Sequence, residues 1–306
     1  IRRIVLAVLA AALSGCAPLT APPGLEPARP ALTDTAFVTR DGTVLPLRVW
    51  HAENERAVIV ALHGMGDYSH AFAMSAPWWA ERGIATYAYD QRGFGEAPFL
   101  GVWPGADALK KDLEDCVAAV RAAHPGVPIY ALGASMGGAV VLSSLADPDP
   151  PQIDGAILVA PAIWSRADMP WAYGAALWLA VHADPGWQLT GRGLHIWPSD
   201  NLPMLRENAY DMRIQKRTRA DAVWGLVDLM DEARAAPGKL ANPPPILFLY
   251  GAKDQVVPAA PTEAVVEALG ARAEVHKFPY GYHMLLRDLS AVEVWQTVAD
   301  WIGRKP

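Results

Sequence analysis

The sequence predicts an α/β fold in which a mostly parallel central sheet is flanked by helices and one helical stretch is inserted between two strands. Three observations predict it. Residues 57–62 (AVIVAL), 85–89, 128–132, 156–160 and 246–250 are short, continuous apolar runs, the pattern of strands buried on both faces of a parallel sheet. Segments of helical spacing separate them. Between 161 and 245 the alternation breaks, and that stretch holds six of the chain's 12 tryptophans.

Taken in order, the first residues stand apart from the body. IRRIVLAVLAAALSGC has two arginines, an apolar run and then small residues, which is the charge, length and order of a secretory signal peptide. The run is too short to remain as a membrane-spanning helix. Leu13-Ser14-Gly15-Cys16 resembles the lipobox of bacterial lipoproteins. That resemblance implies cleavage before Cys16, a lipid on its sulfur and amine, and a place in the bacterial cell envelope. Ala17 in the next position points to the outer membrane, facing the periplasm. Residues 17–33 carry five prolines and read as an extended tether. The expected organisation is a signal peptide at 1–15, lipidated Cys16 and tether over 16–33, an α/β core at 34–161 and 242–306, and a helical cap at 162–241.

The 306 residues, 52% of them hydrophobic and 19% charged, suffice for one large core with an insertion. A net charge of −6 gives no basic surface for nucleic acid, and no zinc-finger or RNA-module pattern occurs. Asp41-Gly42 between 35–40 and 44–50 signals a hairpin at the start of the body. With only Cys16 and Cys116 present there is no disulfide framework. Apolar positions around Cys116 recur at helical spacing, which makes it a buried core thiol.

Gly133-Ala134-Ser135-Met136-Gly137 has the Gly-x-Ser-x-Gly spacing of a nucleophile elbow. The spacing alone is weak, but here it follows a strand-like run and precedes a helical one, the context a strained strand-to-helix turn requires. A serine hydroxyl needs a base, and the base needs a carboxylate to hold its tautomer. Asp254, just past 246–250, and His283, just past the strand expected at 273–278, are best placed, because the carboxyl ends of parallel strands gather on one edge. His63, His70 and His276 are the rival bases, and Asp200 and Asp154 the lesser acids. An oxyanion needs prepositioned N–H donors. The backbone N–H groups of Met136, after the nucleophile, and Met65, in the loop His63-Gly64-Met65-Gly66, are the candidates.

Together HGMGDYSH, YDQRGFGEAP, GASMGG, GAKDQVVP and GYHML resemble the monoacylglycerol lipase and lysophospholipase-like branch of the α/β-hydrolase family, from about residue 35 to the end. The resemblance implies a Ser-His-Asp esterase with a helical cap after the sixth strand, acting on a small-molecule ester or lipid. Asp67 stands where Glu is usual and Gln91 where His is frequent. The same triad also serves an acyltransferase, and a noncatalytic envelope lipoprotein is a reading from another class. No cofactor or metal is implied: Gly64-Met65-Gly66 lacks the third glycine of a dinucleotide fingerprint, and no P-loop or His-Glu-x-x-His sequence occurs. The helix expected from Trp171 onward is apolar on nearly every side, so it packs in the core, lines an acyl pocket under the cap, or meets lipid. Arg213, Lys216, Arg217 and Arg219 read as the solvated face of a further helix, with anionic head groups as the sharper alternative.

Overall fold

The computed structural model describes residues 18–304 except 192 and 194; the signal peptide expected at 1–15 and Cys16 lie outside the described residues. A nine-stranded sheet has the order β1-β2-β3-β5-β4-β6-β7-β10-β11. Strands β1 (Ala31–Leu32), β2 (Ala36–Val38) and β3 (Val44–Trp50) form an antiparallel flank. Strands β4 (Ala57–Leu62), β5 (Ile84–Tyr89), β6 (Ile129–Ala134), β7 (Gly155–Val159), β10 (Ile246–Gly251) and β11 (Ala273–Phe278) run parallel. This is the α/β-hydrolase fold.

Every residue of β4 is buried, and its side chains divide by the pleat. Val58, Val60 and Leu62 enter one core with helices α2 (Ala106–Ala123) and α3 (Met136–Ser144). Ala57, Ile59 and Ala61 enter the other, under α1 (Ser75–Ala80) and α8 (Ala291–Gly303). A strand covered on both faces has no polar side, so it reads as an unbroken apolar run. Cys116 is a buried free thiol on α2, and burial pushes it well above the ordinary thiol range.

The stretch between β7 and β10 is not uniform. It holds α4 (Trp171–Ala183), α5 (Leu202–Tyr210), a two-stranded ribbon of β8 (Gln188–Leu189) with β9 (Thr218–Arg219), and α6 (Ala220–Ala235). The last, expected as cap, packs against α3 and buries Leu229 and Ala233 in the core. Residues 213–219 form a turn leading into the ribbon rather than a helix: Gln215 N donates to Gly66 O and Thr218 and Arg219 pair with β8, while Arg213 pairs with Asp211 and Arg219 with Asp221. The remaining α7 (Ala259–Leu269) joins β10 to β11.

The Pro-rich segment is extended, as its prolines require, but its described part is not a free tether. It forms a strap along the body. Ala28 N donates to Arg40 O (2.9 Å), Gly24 N to Asp41 Oδ2 (2.8 Å), Ala21 N to Trp103 O (2.8 Å) and Leu19 N to Asp221 Oδ2 (3.0 Å). A Cβ on Gly24 would lie 2.0 Å from Asp41 O, so only glycine permits this approach. Burial opposes ionisation of Asp41, yet hydrogen bonds from Arg92, Thr39, the Gly24 N–H and Thr43 hold its carboxyl well below the usual range. A carboxyl depressed in the folded state contributes stability above its ordinary value, near pH 3.8, and loses that contribution as pH falls below it. The protection factor of the Gly24 amide, its intrinsic exchange rate divided by the observed one, should therefore fall on acidification below that value. At neutral pH, Asp41→Asn should speed thermolysin cleavage at Leu25 by roughly tenfold, the loss of a charge-assisted hydrogen bond; an unchanged rate would mean that Asp41 does not hold the strap.

Candidate active site

The carboxyl ends of β4, β6, β10 and β11 deliver four loops to one edge. Ser135 ends the β6 turn with φ 52° and ψ −114°, a conformation that costs a non-glycine residue about 1–3 kcal/mol. Three backbone hydrogen bonds hold it: Ser135 N to Val159 O (3.0 Å), and Ala139 N and Ala162 N to Ser135 O (3.1 and 2.9 Å). The flanking glycines are required by space. A Cβ on Gly133 would lie 2.2 Å from Gly137 O, and one on Gly137 would lie 2.2 Å from Leu62 O.

Three sequence-predicted residues come together here. His283 Nδ1 is 2.8 Å from Asp254 Oδ2, and His283 Nε2 is 2.9 Å from Ser135 Oγ. A carboxylate only accepts, so the ring proton sits on Nδ1 and Nε2 is left to accept from the serine hydroxyl. Asp254 also accepts from Val256 N (2.7 Å) and Val257 N (3.0 Å) through Oδ1, which fixes the carboxylate plane. Both side chains are about nine-tenths buried. The arrangement meets the geometric requirement for transferring a proton from Ser135 Oγ to His283.

The rival residues are committed elsewhere. His70 is exposed and stacks on Tyr68 at 5.5 Å. His276, on β11, pairs with Glu274. Asp154 accepts from Arg121 and Ile129 N, and Asp200 from Leu289 N.

His63, weighed in the sequence only as a base, is fully buried and has another place. Its Nε2 accepts from Gln91 N (2.9 Å), so Nδ1 carries the proton and donates to Gly64 O (2.9 Å). Burial pushes its pKa down, keeping the ring neutral. In a trans peptide the N–H points opposite to the C=O, so holding Gly64 O turns Met65 N–H away from His63. Met65 and Ser135 border the same cavity. Met136 is the first residue of α3, where N–H groups lack intrahelical acceptors, while Gly137 N is already bound to His63 O (3.1 Å). Gln91 Nε2 also donates to His63 O (2.8 Å), so the glutamine found where His is frequent braces this loop.

The cavity is about 90 Å³, with Ser135, His283, Met65, Phe72 and Leu286 among its lining. Asp67 and Arg287, an ion pair, lie in its wall. None of the insertion's tryptophans lines it, so the acyl pocket expected under the cap is not where those side chains sit. Residues 197–215 instead tie down the loops: Met284 N donates to Pro198 O (2.8 Å), Trp197 N to Gln255 Oε1 (2.9 Å) and Gln215 N to Gly66 O (2.8 Å). Gln215 Nε2 reaches Gly93 O (2.6 Å). Among the described residues no group of three or more His, Cys, Asp or Glu is placed to hold a metal ion.

Residues 53–290 match the family model described as "Serine aminopeptidase, S33". The chain belongs to this S33 family. It is a serine hydrolase of the carboxylesterase class. It is 24% identical over 282 residues to "Monoglyceride lipase" of Homo sapiens, covering 88% of this chain and 90% of that protein. It is 24% identical over 274 residues to "Monoacylglycerol lipase" of Mycolicibacterium smegmatis, covering 88% and 96%. A soluble variant of monoglyceride lipase from Saccharomyces cerevisiae superposes with a TM-score of 0.75 at 19% identity, over 94% of this chain and 99% of that one. The monoacylglycerol lipase of Paleococcus ferrophilus gives 0.71 at 20%, over 86% and 99%. These two structural likenesses support the fold.

The geometry around Gly64 predicts that His63→Ala will lower kcat by about 10²-fold, the scale of losing one oxyanion donor, while KM stays nearly unchanged. Steady-state kinetics on a soluble ester, with circular dichroism to verify folding, measures the split; a rise in KM alone would assign His63 to substrate binding instead.

Proposed function

We propose that the protein hydrolyses carboxylic esters of the monoacylglycerol or lysophospholipid type through an acyl-enzyme. The observation that carries this is the hydrogen-bonded relay from Ser135 through His283 to Asp254. Ser135 Oγ attacks the ester carbonyl while His283 Nε2 takes its proton. Asp254 holds the ring and stabilises the imidazolium that forms. The N–H groups of Met65 and Met136 receive the oxyanion, and His283 returns the proton to the leaving alcohol. Water, activated by the same histidine, then releases the acid.

The names of the relatives support the substrate class, and so does the cavity: Met65, Phe72 and Leu286 offer apolar surface beside Ser135, and the Asp67–Arg287 pair offers polar partners to the alcohol portion. Lipidation of Cys16 belongs to the same reading, and places the enzyme in the bacterial envelope, on the outer membrane facing the periplasm.

A fluorophosphonate should label the wild type and neither Ser135→Ala nor His283→Ala. Each variant should lose roughly 10⁵–10⁶-fold in kcat and Asp254→Asn about 10⁴-fold. Labelling that persists in Ser135→Ala would assign the nucleophile elsewhere. Hydrolysis of monoacylglycerol and lysophospholipid should exceed that of short water-soluble esters, and the reverse order would reject the substrate class.

A further inference from the structure

The histidine loop, residues 279–290 between β11 and α8, contains a buried carboxylate that the steps of ester cleavage do not call on. Asp288 is 2% exposed. Its Oδ2 accepts from Tyr282 N (2.7 Å) and its Oδ1 from Ser199 Oγ (2.6 Å). Among the described residues no cation pairs with it, and the neighbouring Arg287 turns to Asp67. Burying an ionised carboxylate is costly unless its oxygens are hydrogen-bonded. Burial pushes the Asp288 carboxyl up, and the bonds from Ser199 and Tyr282 oppose that rise. Those bonds also explain why the residue is an acid. Two donors converge on it, and a carboxylate meets each with an acceptor oxygen, whereas an amide has one such oxygen and sets its own NH₂ against the other donor.

The contacts reach His283 from both sides. Asp288 holds the N–H of Tyr282, just before it, and Met284 N, just after it, donates to Pro198 O (2.8 Å). The far end of the loop is held by the same short segment: Asn201 Nδ2 donates to Arg287 O (2.8 Å), and Leu289 N to Asp200 Oδ1 (2.9 Å). Each of the residues 198–201 therefore bonds to the histidine loop, yet all four belong to the insertion and not to the sheet that carries Ser135. Ser199 is fully buried, and its Oγ accepts from Asn201 N (3.1 Å) while its proton goes to Asp288. An imidazolium at His283 in turn favours the ionised form of Asp288, so this carboxylate attracts the charge that forms when Ser135 gives up its proton.

We propose that Asp288, held in place by Ser199 of the insertion, is a positioning residue that seats His283 for proton transfer from Ser135. The inference rests on the reading of His283 as the general base. It gives the insertion a part in the chemical step that is separate from substrate binding. His283 Nε2 stands 2.9 Å from Ser135 Oγ, and a displacement of about 1 Å in such a group costs about 10²-fold in rate. Asp254 fixes the ring from its Nδ1 side but leaves the backbone free to shift. The Asp288 and Pro198 contacts supply that second restraint.

The test places Asp288→Asn and Ser199→Ala in the full chain, each alone and each combined with His283→Ala, and measures hydrolysis of p-nitrophenyl butyrate with circular dichroism to verify folding. Asp288→Asn should lower kcat by about 10²-fold and Ser199→Ala by about tenfold, the loss of one charge-assisted hydrogen bond, with KM nearly unchanged in both. The residual rate without His283, roughly 10³–10⁴-fold above that in water, should fall no further when either change is added, because a residue that acts through His283 has nothing left to position. An equal proportional loss in the His283→Ala background overturns the proposal and assigns Asp288 to the fold at large. An unchanged kcat in the single variants, or a change in KM alone, also overturns it. If Asp288→Asn does not fold, Ser199→Ala decides by the same outcomes. Full activity in His283→Ala itself would remove the base, and with it both the proposed function and this inference; loss there with no effect at 288 and 199 removes the inference alone.

Discussion

The positive φ of Ser135 is the constraint around which the catalytic edge is built. A serine occupies that region only when its surroundings leave no alternative. Here the alternatives are removed by β7, whose Val159 O takes the Ser135 N–H, and by the close approach of β4, whose Leu62 O leaves no space for a side chain at Gly137. The strain is thus met by the parallel sheet as a whole. Its result is a hydroxyl lifted out of the sheet at the point where the loops after β10 and β11 bring Asp254 and His283 together.

Two histidines divide the work by their environments. His283 has a carboxylate on one nitrogen and a hydroxyl on the other, the setting of a proton carrier. His63 has a peptide carbonyl on one side and a peptide N–H on the other, with no carboxylate in hydrogen-bond contact. Burial keeps it neutral, and a ring that does not change charge serves as a fixed brace. The Met65 N–H, the oxyanion donor proposed above, is thereby oriented before any substrate arrives, which is what makes electrostatic stabilisation effective.

Much of this was legible in the sequence for a definite reason. The parallel strands show as unbroken apolar runs because both faces are covered, and Ser135, Asp254 and His283 each follow such a run closely enough for topology to gather them. The two-residue strands β1, β8 and β9 have no period to read. The role of His63 depends on which way one peptide faces, information that no residue type carries. Helix α4 presents the same apolar letters whether buried or bare, so its exposure appears only when its neighbours are placed. The strap is hidden because its bonds are main-chain donors to distant acceptors such as Asp221 Oδ2; prolines announce extension and not attachment.

The ties made by residues 197–215 divide the insertion into two mechanical parts. Pro198 grips the histidine loop, Trp197 the acid loop and Gln215 the glycine turn beside Met65. Displacing that half would disturb donor, acid and base at once, so it behaves as part of the reaction frame. Helix α4 is fastened elsewhere, against α6, which in turn packs on α3, so the two halves of the insertion load different parts of the body: one rests on the loops of the reaction edge, the other on the helical layer behind the nucleophile.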